Sequence, residues 1–393
     1  MAVIPRLNEL KPTLTSWRRD LHAHPQTAFE ETYASGFIAT RLKEAGIEVH
    51  QGMAKTGVVG TLKGKATGKG KVKAIGLRAD IDALDITEQT GLPYQSKFPG
   101  KMHACGHDGH TTMLLGAALY LAETRNFAGT VQFIFQPAEE NEGGGKVMCQ
   151  EGLFEKFPVD CVFGMHNWPG LPLGEFSALT GPCMAAFDVF EIKVTGKGTH
   201  AAMPHLGIDP IVAGSQMVNA LQTLVSRNTA AIDQLVLTIT QFHAGDTWNV
   251  IPGDATLRGT VRTFSPAVQD AAEAGMKRVI DGIAAATGCT ATLRYERRYP
   301  ATINTAAETV WAAETAADVV GEQNVHTDPP PCMGSEDFAY MLNERPGCYI
   351  WAGNGPADNG RMLHNAKYDF NDDLIPVGAS YWARLVERLL PVE

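Results

Sequence analysis

Paired cysteines are missing from this sequence. Its seven cysteines are scattered over 393 residues, and none of them belongs to a CxxC pair. A disulfide scaffold needs an even set at short spacings, and a closed structural zinc site is usually assembled from CxxC pairs. We therefore expect free thiols in a reducing compartment, which predicts a cytoplasmic protein.

Long hydrophobic runs are missing as well. No stretch approaches the roughly 20 consecutive apolar residues that cross a bilayer. The N-terminal segment, MAVIPRLNELKPTLTSWRRDLHAHP, contains no apolar core of signal-peptide length and no cleavage-site pattern. We expect no membrane partner.

Positive charge is scarce. Lysine and arginine number 33 against 43 aspartates and glutamates, so the formal net charge is -10. Binding to a nucleic-acid backbone needs a basic face, and we expect no nucleic-acid partner. One basic run, KGKATGKGKVK at residues 63–73, lies between two strand-like segments and is interpreted as the solvated tip of a hairpin.

The overall composition is ordinary for a globular protein, with 44% hydrophobic and 19% charged residues. A chain of 393 residues exceeds the size at which one hydrophobic core usually keeps growing. Two domains are therefore expected.

The first part of the chain alternates between helical and strand-like patterns. Residues 7–24, 31–45 and 111–124 are predicted helices, the last one following a histidine-rich loop. Strand-like segments rich in Val, Ile and Leu lie between them: VVGTLKG, VKAIGLRADIDAL, GTVQFIFQPAEE and VDCVFGMHNWP. Buried strands that alternate with helices predict an α/β fold with a mostly parallel sheet and helices on both faces.

Near Cys183 the alternation of single helices and buried strands gives way to a different order of elements. Residues 185–298 have the order strand, helix, strand, strand, helix, strand, which is typical of a ferredoxin-like α+β sandwich. After residue 299 the α/β pattern returns with a helix, the strand CYIWAG and a C-terminal helix. We therefore predict one α/β domain, formed by residues 1–184 and 299–393, with an inserted domain at residues 185–298.

Residues with metal-binding side chains follow four of the predicted strands. In chain order, the strand ends supply Cys105 with His107, Glu139 with Glu140, His166, and His364. Open α/β sheets bind ligands beyond the carboxyl ends of their strands, so we expect these side chains to meet at one edge. Together they predict a two-metal site.

The mixture of ligand types narrows the choice of metal. One thiolate with several imidazoles and carboxylates suits zinc, and cobalt, nickel or manganese also fit. A structural zinc site usually takes its four closed ligands from CxxC pairs, and because the chain has none, an open catalytic site is favoured over a structural one. We predict two divalent metal ions, with zinc as the leading candidate.

Each candidate ligand also has a structural interpretation. Cys105 alone would fit a small buried hydrophobic residue, which is the commonest role of a free cysteine. Glu139 and Glu140 could be a solvated strand end, and His166 or His364 taken singly is compatible with either role. The position of Cys105 in a polar loop beside His107 and the position of the glutamate pair after an apolar strand each favour the metal site, and their combination with His166 and His364 on one predicted sheet edge strengthens it.

The other polar residues of the loop MHACGHDGH are interpreted as supports. Asp108 is either the N-cap of the helix at residues 111–124 or a carboxylate that supports His107. His103 and His110 are expected to hold the loop or cap the helix, and not to bind metal.

Seven motifs, spread in order over nearly the whole chain, resemble those of one family. They are GLRADIDAL, MHACGHDGH, FIFQPAEE, GMHNWP, GKGTHAAMPHLGIDPI, NVIPGDATLRGTVRTF and GSEDFAY. The set resembles the co-catalytic metal aminoacylase family. The cysteine of CGHD is specific to its subfamily of hippurate hydrolase and the auxin-conjugate amidohydrolases. The resemblance implies that the α/β domain is catalytic and that the inserted domain is a lid or dimerisation domain.

The resemblance also implies roles for residues of the catalytic domain. The implied metal ligands are Cys105, His107, Glu140, His166 and His364. Glu139 is implied to be the general base. Arg78 stands where relatives with an HxD motif have a histidine ligand, so Asp80 is implied to orient His107 through its second ring nitrogen.

Three residues of the inserted domain acquire implied roles in the same way. His200 is implied to reach the active site of a partner subunit, which predicts a homodimer formed through the inserted domain. Asn249 and Arg262 are implied to contact the substrate.

The implied reaction is hydrolysis of the amide bond of a small N-acyl amino acid to a carboxylic acid and a free amino acid. A dipeptidase or carboxypeptidase would use the same groups, because it also cleaves an amide next to a free carboxylate. A metal-independent thiol amidase, with Cys105 as nucleophile and His107 as base, would leave the glutamate pair without a role. A non-catalytic metal-binding or scaffold protein would have no need of Glu139.

Overall fold

The computed structural model describes residues 2–66, 70–140 and 142–392. The chain forms two compact units. The first comprises Met1–Gly181, Ile303–Pro330 and Asp337–Glu393, and the second comprises Pro182–Thr302 and Pro331–Glu336. The insertion expected at residues 185–298 lies within the second unit, which also takes in the distant segment 331–336.

Backbone hydrogen bonds attach segment 331–336 to the start of the second unit. The amide of Ala185 donates to the carbonyls of Cys332 and Gly334 at 3.1 and 2.9 Å, and the amide of Cys332 donates to Cys183 at 2.9 Å. The two partners are far apart in sequence, so local patterns carry no signal for this pairing.

The elements of the chain are as follows, in order. The N-terminal part contains α1 (Pro5–Ala23), α2 (Thr32–Glu44), β1 (Glu48–Met53), β2 (Gly57–Lys63), β3 (Ala74–Asp80), α3 (His107–Thr124), β4 (Thr130–Gln136), α4 (Gly144–Gln150), α5 (Leu153–Lys156), β5 (Cys161–Pro169) and β6 (Phe176–Ser177). The middle part contains β7 (Gly181–Met184), β8 (Ala186–Thr195), β9 (Thr199–His200), α6 (Pro210–Thr223), β10 (Leu235–His243), β11 (Val250–Ile251), β12 (Asp254–Thr263), α7 (Pro266–Thr287), β13 (Thr290–Tyr299) and β14 (Thr302–Asn304). The C-terminal part contains α8 (Ala306–Val320), β15 (Val325–His326), α9 (Ala339–Glu344), β16 (Gly347–Gly355) and α10 (Leu374–Leu389).

The first unit is built on an eight-stranded sheet with the order β1-β2-β4-β3-β5-β16-β6-β15. Its four central strands, β4, β3, β5 and β16, are mutually parallel. Nearly every residue of these strands is buried. Such continuous apolar runs are typical of parallel strands that are covered on both faces. The prediction of a mostly parallel α/β sheet is confirmed.

The second unit contains a four-stranded antiparallel sheet with the order β10-β12-β8-β13. Burial alternates along β8, so that Phe190, Ile192 and Val194 face the core of the unit. This core includes Met217 of α6 and Met276 of α7. The order of the elements, β8-α6-β10-β12-α7-β13, is the predicted ferredoxin-like order.

Helix α3 is the buried central helix of the first unit, and it begins at His107 instead of the predicted residue 111. The prediction was wrong because the first turn is polar and carries no apolar periodicity. Its polar side chains are nevertheless buried and paired with other elements. Further along, a Cβ atom at Gly116 would lie 2.9 Å from Leu14 of α1 and 3.2 Å from Ala379 of α10, so the glycine permits close helix packing.

The interpretation of the basic run at residues 63–73 as a hairpin tip was also wrong. Its flanking strands are not paired with each other, because β4 lies between them, antiparallel to β2 and parallel to β3. Residues 67–69, at the middle of the run, lie outside the described residues.

Among the described residues, none of the helices combines the length and the apolarity needed to cross a bilayer.

Candidate metal centre

The carboxyl ends of the central parallel strands converge on one cluster of side chains in the first unit. Cys105, Glu140 and His364 offer metal-ligand atoms within 4.8 Å of one another, and so do His107, Glu139 and Glu140. The Sγ atom of Cys105 lies 3.3 Å from Nε2 of His166. The structure therefore brings together all five predicted ligands and the predicted base.

The loop after β16 reaches the cluster through a backbone contact. The amide of His364 donates to the carbonyl of Ala104 at 2.8 Å, which places His364 beside the loop that carries Cys105. Its Nε2 atom lies 3.0 Å from Oε1 of Glu140. The His364 side chain is half exposed, whereas the rest of the cluster is largely buried, so His364 marks the open side of the site.

The orientation of the imidazole rings suits metal binding. His166 donates from Nδ1 to the carbonyl of Asn167 at 2.6 Å, and His107 donates from Nδ1 to Asp82 at 3.1 Å. Each ring therefore presents an unprotonated Nε2 to the cluster in its neutral form. Nε2 of His107 is buried and has no hydrogen-bond partner among the described residues. Metal-bound histidines are typically held in this way by their other nitrogen.

The electrostatics of the cluster favour a bound cation. Burial alone would lower the pKa of His107, but the carboxylates of Asp80, Asp82 and Glu140 outweigh it and raise that pKa to about 10. Burial, Glu140, Glu139 and Asp80 raise the pKa of the Cys105 thiol well above its usual range. A metal ion reverses this effect on the thiol, because it binds the thiolate directly. The donor set therefore fits divalent metal ions.

Asp80 does not have the contact that was predicted for it. Its Oδ1 accepts from His110 Nδ1 at 2.6 Å and its Oδ2 accepts from Arg78 at 2.8 Å, while its closest approach to His107 is 3.7 Å. Asp82 orients His107 instead. His107 and His110 lie on one face of α3, and the helix runs in the direction opposite to β3. Asp82 therefore contacts His107, and Asp80 contacts His110.

Asp82 is the residue that the sequence analysis missed most clearly. Its Oδ1 contacts His107, and its Oδ2 accepts from the amide of Glu140 at 3.0 Å. One buried carboxylate thus connects the helix and the strand end that carry two predicted ligands. The Asp-x-Asp spacing in RADIDAL was the available signal, because it offers two carboxylates on one side of the chain.

Both histidines predicted to be supports are buried, and His110 lies close to Asp80, His107 and His166. Both nitrogens of His110 are engaged, since Nδ1 donates to Asp80 and Nε2 accepts from the amide of Asn167 at 2.9 Å. His110 therefore has no lone pair free for a metal. Burial lowers the pKa of His103 to about 4, so this side chain is neutral.

Asp108 does not cap α3, because the helix begins before it at His107. It does not support His107 either, because its carboxylate faces other partners. Its carboxylate accepts from His22 Nδ1 at 2.8 Å and lies 3.6 Å from the buried guanidinium of Arg18. Burial opposes charge on His22, but hydrogen bonds to Asp108 and Glu88 raise the pKa of His22 to about 9. Asp108 thus ties the first turn of α3 to α1.

Asn167 and Gly106 form a second support that the sequence analysis missed. Asn167 donates to the carbonyl of Cys105 at 2.6 Å and accepts from the hydroxyl of Tyr368 at 2.8 Å. Gly106 has φ +94°, and a Cβ atom there would lie 2.2 Å from Nδ2 of Asn167. The possible signals were a glycine between two ligands and an asparagine next to His166.

The remaining predicted site residues lie in the second unit. His200 of β9 is exposed, and the neighbouring amide of Ala201 donates to the carbonyl of Asn249 at 2.9 Å. Arg262 of β12 is half-buried, packs over the ring of Phe187 and donates to the hydroxyl of Ser335 at 3.0 Å. These contacts place Asn249 close to His200.

Comparison with known proteins shows similarity along the full chain. Residues 76–388 match the family described as Peptidase family M20/M25/M40. Hippurate hydrolase of Campylobacter jejuni is 41% identical over 391 residues, which cover 99% of this chain and 100% of the relative. N-acetylcysteine deacetylase of Bacillus subtilis is 41% identical over 379 residues, which cover 96% and 97%. The resemblance inferred from the motifs is thereby confirmed.

A solved structure shares the fold. The crystal structure of a dinuclear metal-binding peptidase of the M20 family from Bacillus subtilis matches with a TM-score of 0.84 at 38% identity. The match covers 98% of this chain and 99% of that one.

Replacing Gly106 by alanine tests the support around Cys105. The new Cβ atom must displace Asn167 and Tyr368, and the alanine must keep the left-handed φ of the glycine. We therefore expect the free energy of unfolding to fall by an amount on the order of 3 kcal/mol. Thermal unfolding measures the loss. Gly36→Ala in α2 is the matched control, because it meets no atom within 4 Å and should be neutral or slightly stabilising. Equal effects of the two substitutions would contradict the proposed constraint.

Proposed function

The chain belongs to peptidase family M20/M25/M40, and on that premise we propose that it is a metal-dependent amidohydrolase. It hydrolyses N-acyl amino acids to a carboxylic acid and a free amino acid. The observation that carries this proposal is the convergence of five predicted ligands and Glu139 at the carboxyl ends of the central strands. The reactions named for hippurate hydrolase and N-acetylcysteine deacetylase support the substrate class.

The cluster is proposed to hold two divalent metal ions. The residues that would hold them are Cys105, His107, Glu140, His166 and His364. Cys105 lies close both to His166 and to the group of Glu140 and His364, so its thiolate is placed to help hold the metal with all three. Bound metal would supply Lewis acidity and lower the pKa of water to about 7. The mixed donors favour zinc, and manganese, cobalt or nickel also fit.

Glu139 is proposed to be the general base. Its carboxylate is buried beside the ligands His107 and Glu140. It would take the proton from the attacking water and pass it to the nitrogen of the leaving amino acid, so that one carboxylate serves both proton transfers. Burial at the edge of the cluster shields that proton from bulk solvent.

The second unit is proposed to contribute the substrate contacts. Arg262 and Asn249 would bind the polar groups of the amino acid, and Phe187 and Ser335 hold the Arg262 side chain in place. His200 would donate to the developing oxyanion in a partner subunit. Losing one such donor typically costs roughly 100- to 1000-fold in rate.

A homodimer is therefore part of the proposal. In the second unit, β10 forms one edge of the four-stranded sheet and exposes Val236 and Phe242. Ile211 and Val212 of α6 are exposed as well. An unpaired edge with apolar neighbours suits pairing with a second copy. All seven cysteines are free thiols, which supports a cytoplasmic location.

The structure disfavours the alternative of a thiol amidase. A nucleophilic cysteine needs a thiolate stabilised by a neighbouring cation. Cys105 is instead surrounded by carboxylates, and burial together with Glu140, Glu139 and Asp80 raises the pKa of its thiol well above the usual range. His107, the base of that alternative, is hydrogen-bonded to Asp82, and its pKa of about 10 means that without metal it already holds a proton. The two side chains thus disfavour proton transfer from the thiol to His107.

Hydrolysis of a substrate panel tests the proposed function. The panel contains hippurate, N-acetyl amino acids, indoleacetyl amino acids and simple dipeptides. Each compound is assayed with purified protein, with chelator-treated protein, and after zinc, manganese or cobalt is restored. We expect activity on acyl amino acids that is lost on chelation and regained with metal. Activity that survives complete metal removal would contradict the metal mechanism, and a preference for dipeptides would identify a dipeptidase.

Paired substitutions separate the base from its neighbouring ligand. Glu139→Gln should keep the metal content and lower kcat by roughly 100- to 10,000-fold, because the proton acceptor is lost. Glu140→Gln should lower the metal content, because a ligand is lost. Elemental analysis and steady-state kinetics measure the two effects. Loss of metal in Glu139→Gln, with metal retained in Glu140→Gln, would contradict the assignment of Glu139 as the base and Glu140 as the ligand.

A further inference from the structure

Glu31 is a fully buried carboxyl group to which the reaction proposed above assigns no role. It precedes α2 in the first unit and has no exposed surface. A buried acid is costly unless its oxygens accept hydrogen bonds. The partners of its two oxygens therefore show what the residue does.

The two oxygens of Glu31 accept hydrogen bonds from three separate segments of the chain. Oε1 accepts from the amides of Phe29 and Ala138, each at 3.0 Å. Oε2 accepts from the hydroxyl of Thr56 at 2.6 Å. Ala138 directly precedes the proposed base, Glu139. One carboxyl group thus connects the start of α2, the turn after β1 and the end of β4.

All three of these segments contain non-glycine residues in the left-handed region. Their φ angles are +61° at Phe29, +45° at Ala54, +69° at Lys55 and +53° at Ala138. A residue with a Cβ atom adopts such a φ at an energetic cost, and it stays there only when its surroundings hold it. At Ala138 the hydrogen bond to Glu31 provides such a hold.

The backbone of the glutamate pair is therefore held on both sides. Glu31 holds the amide of Ala138, and Asp82 holds the amide of Glu140 at 3.0 Å. Glu139 lies between these two anchors. The direction of its side chain depends on the backbone at both points.

We propose that Glu31 is a positioning residue for Glu139, acting through its hydrogen bond to the strained amide of Ala138. The inference rests on the proposed function in that Glu139 is the base. The role requires a hydrogen-bond acceptor and not a charge. Burial raises the pKa of Glu31 to about 7, which agrees with a group that acts as an acceptor in either protonation state.

Three substitutions distinguish the role of Glu31 as a hydrogen-bond acceptor from the role of its negative charge. Glu31→Leu removes both oxygens and leaves the Ala138 amide without its acceptor. Glu31→Gln keeps an oxygen for the amides and turns its NH2 group toward Thr56. Thr56→Val is the matched control, because it removes the contact to Oε2 and leaves the contact to Ala138 intact.

Kinetics give the first measurement. We expect Glu31→Leu to lower kcat about 10- to 100-fold, as small misplacements of catalytic groups do, with KM within about threefold of the native value. Its metal content should be unchanged, because no ligand is altered. Glu31→Gln and Thr56→Val should keep kcat within about threefold. Equal impairment of the Gln and Leu variants, or metal loss in the Leu variant, would overturn the proposal.

Hydrogen–deuterium exchange gives a measurement that does not depend on activity. The Ala138 amide should be protected in the native protein, Glu31→Gln and Thr56→Val, and should exchange at least tenfold faster in Glu31→Leu. Unchanged exchange in Glu31→Leu would overturn the proposal even if kcat falls. If the native protein hydrolyses no acyl amino acid, the proposed function fails, while the exchange result still decides whether Glu31 holds Ala138.

A further variant covers the case in which Glu31→Leu does not fold. Glu31→Asp keeps the charge and withdraws the carboxylate from Ala138 by one methylene group. We expect faster exchange at Ala138 together with a lower kcat. An aspartate variant with native exchange and native kcat would contradict the proposed positioning role.

Discussion

The Asp82 carboxylate is the interaction on which the geometry of the site depends. One oxygen orients His107 and the other holds the amide of Glu140. One buried group therefore links the helix that begins at His107 to the segment that carries Glu140. Parallel strands place the two segments at the same sheet edge, and Asp82 sets the position of the two side chains relative to each other.

Two non-glycine residues at the same cluster have a strained backbone. Ala138 and His364 have positive φ, and the first precedes the proposed base while the second is a proposed ligand. Gly106, between two proposed ligands, also has positive φ, which glycine adopts without strain. The backbone at each point is held by a specific contact: packing of Asn167 at Gly106, Glu31 at Ala138, and the carbonyl of Ala104 at His364. Strained residues of this kind persist where surrounding structure determines them, and they are common at active sites.

Much of this arrangement could be predicted from the sequence, because apolar strands and their polar ends are local patterns. The four buried strands and the residue types that follow them were sufficient to place Cys105, Glu140 and His166 at one edge. The sequence could not show that Asp82 and not Asp80 orients His107. That assignment depends on α3 beginning at His107, and the polar residues of its first turn give no apolar periodicity from which this start could be predicted. Glu31 was missed for a related reason, since its partners Thr56 and Ala138 are distant in sequence.

Anomalous diffraction from crystals of the zinc-reconstituted protein is the most direct test of the two-metal centre. The expected map has two zinc peaks about 3.5–4 Å apart within the group formed by Cys105, His107, Glu140, His166 and His364. A single peak, or a peak between Asp80 and His110 away from Cys105, would contradict the two-metal site and the mechanism built on it.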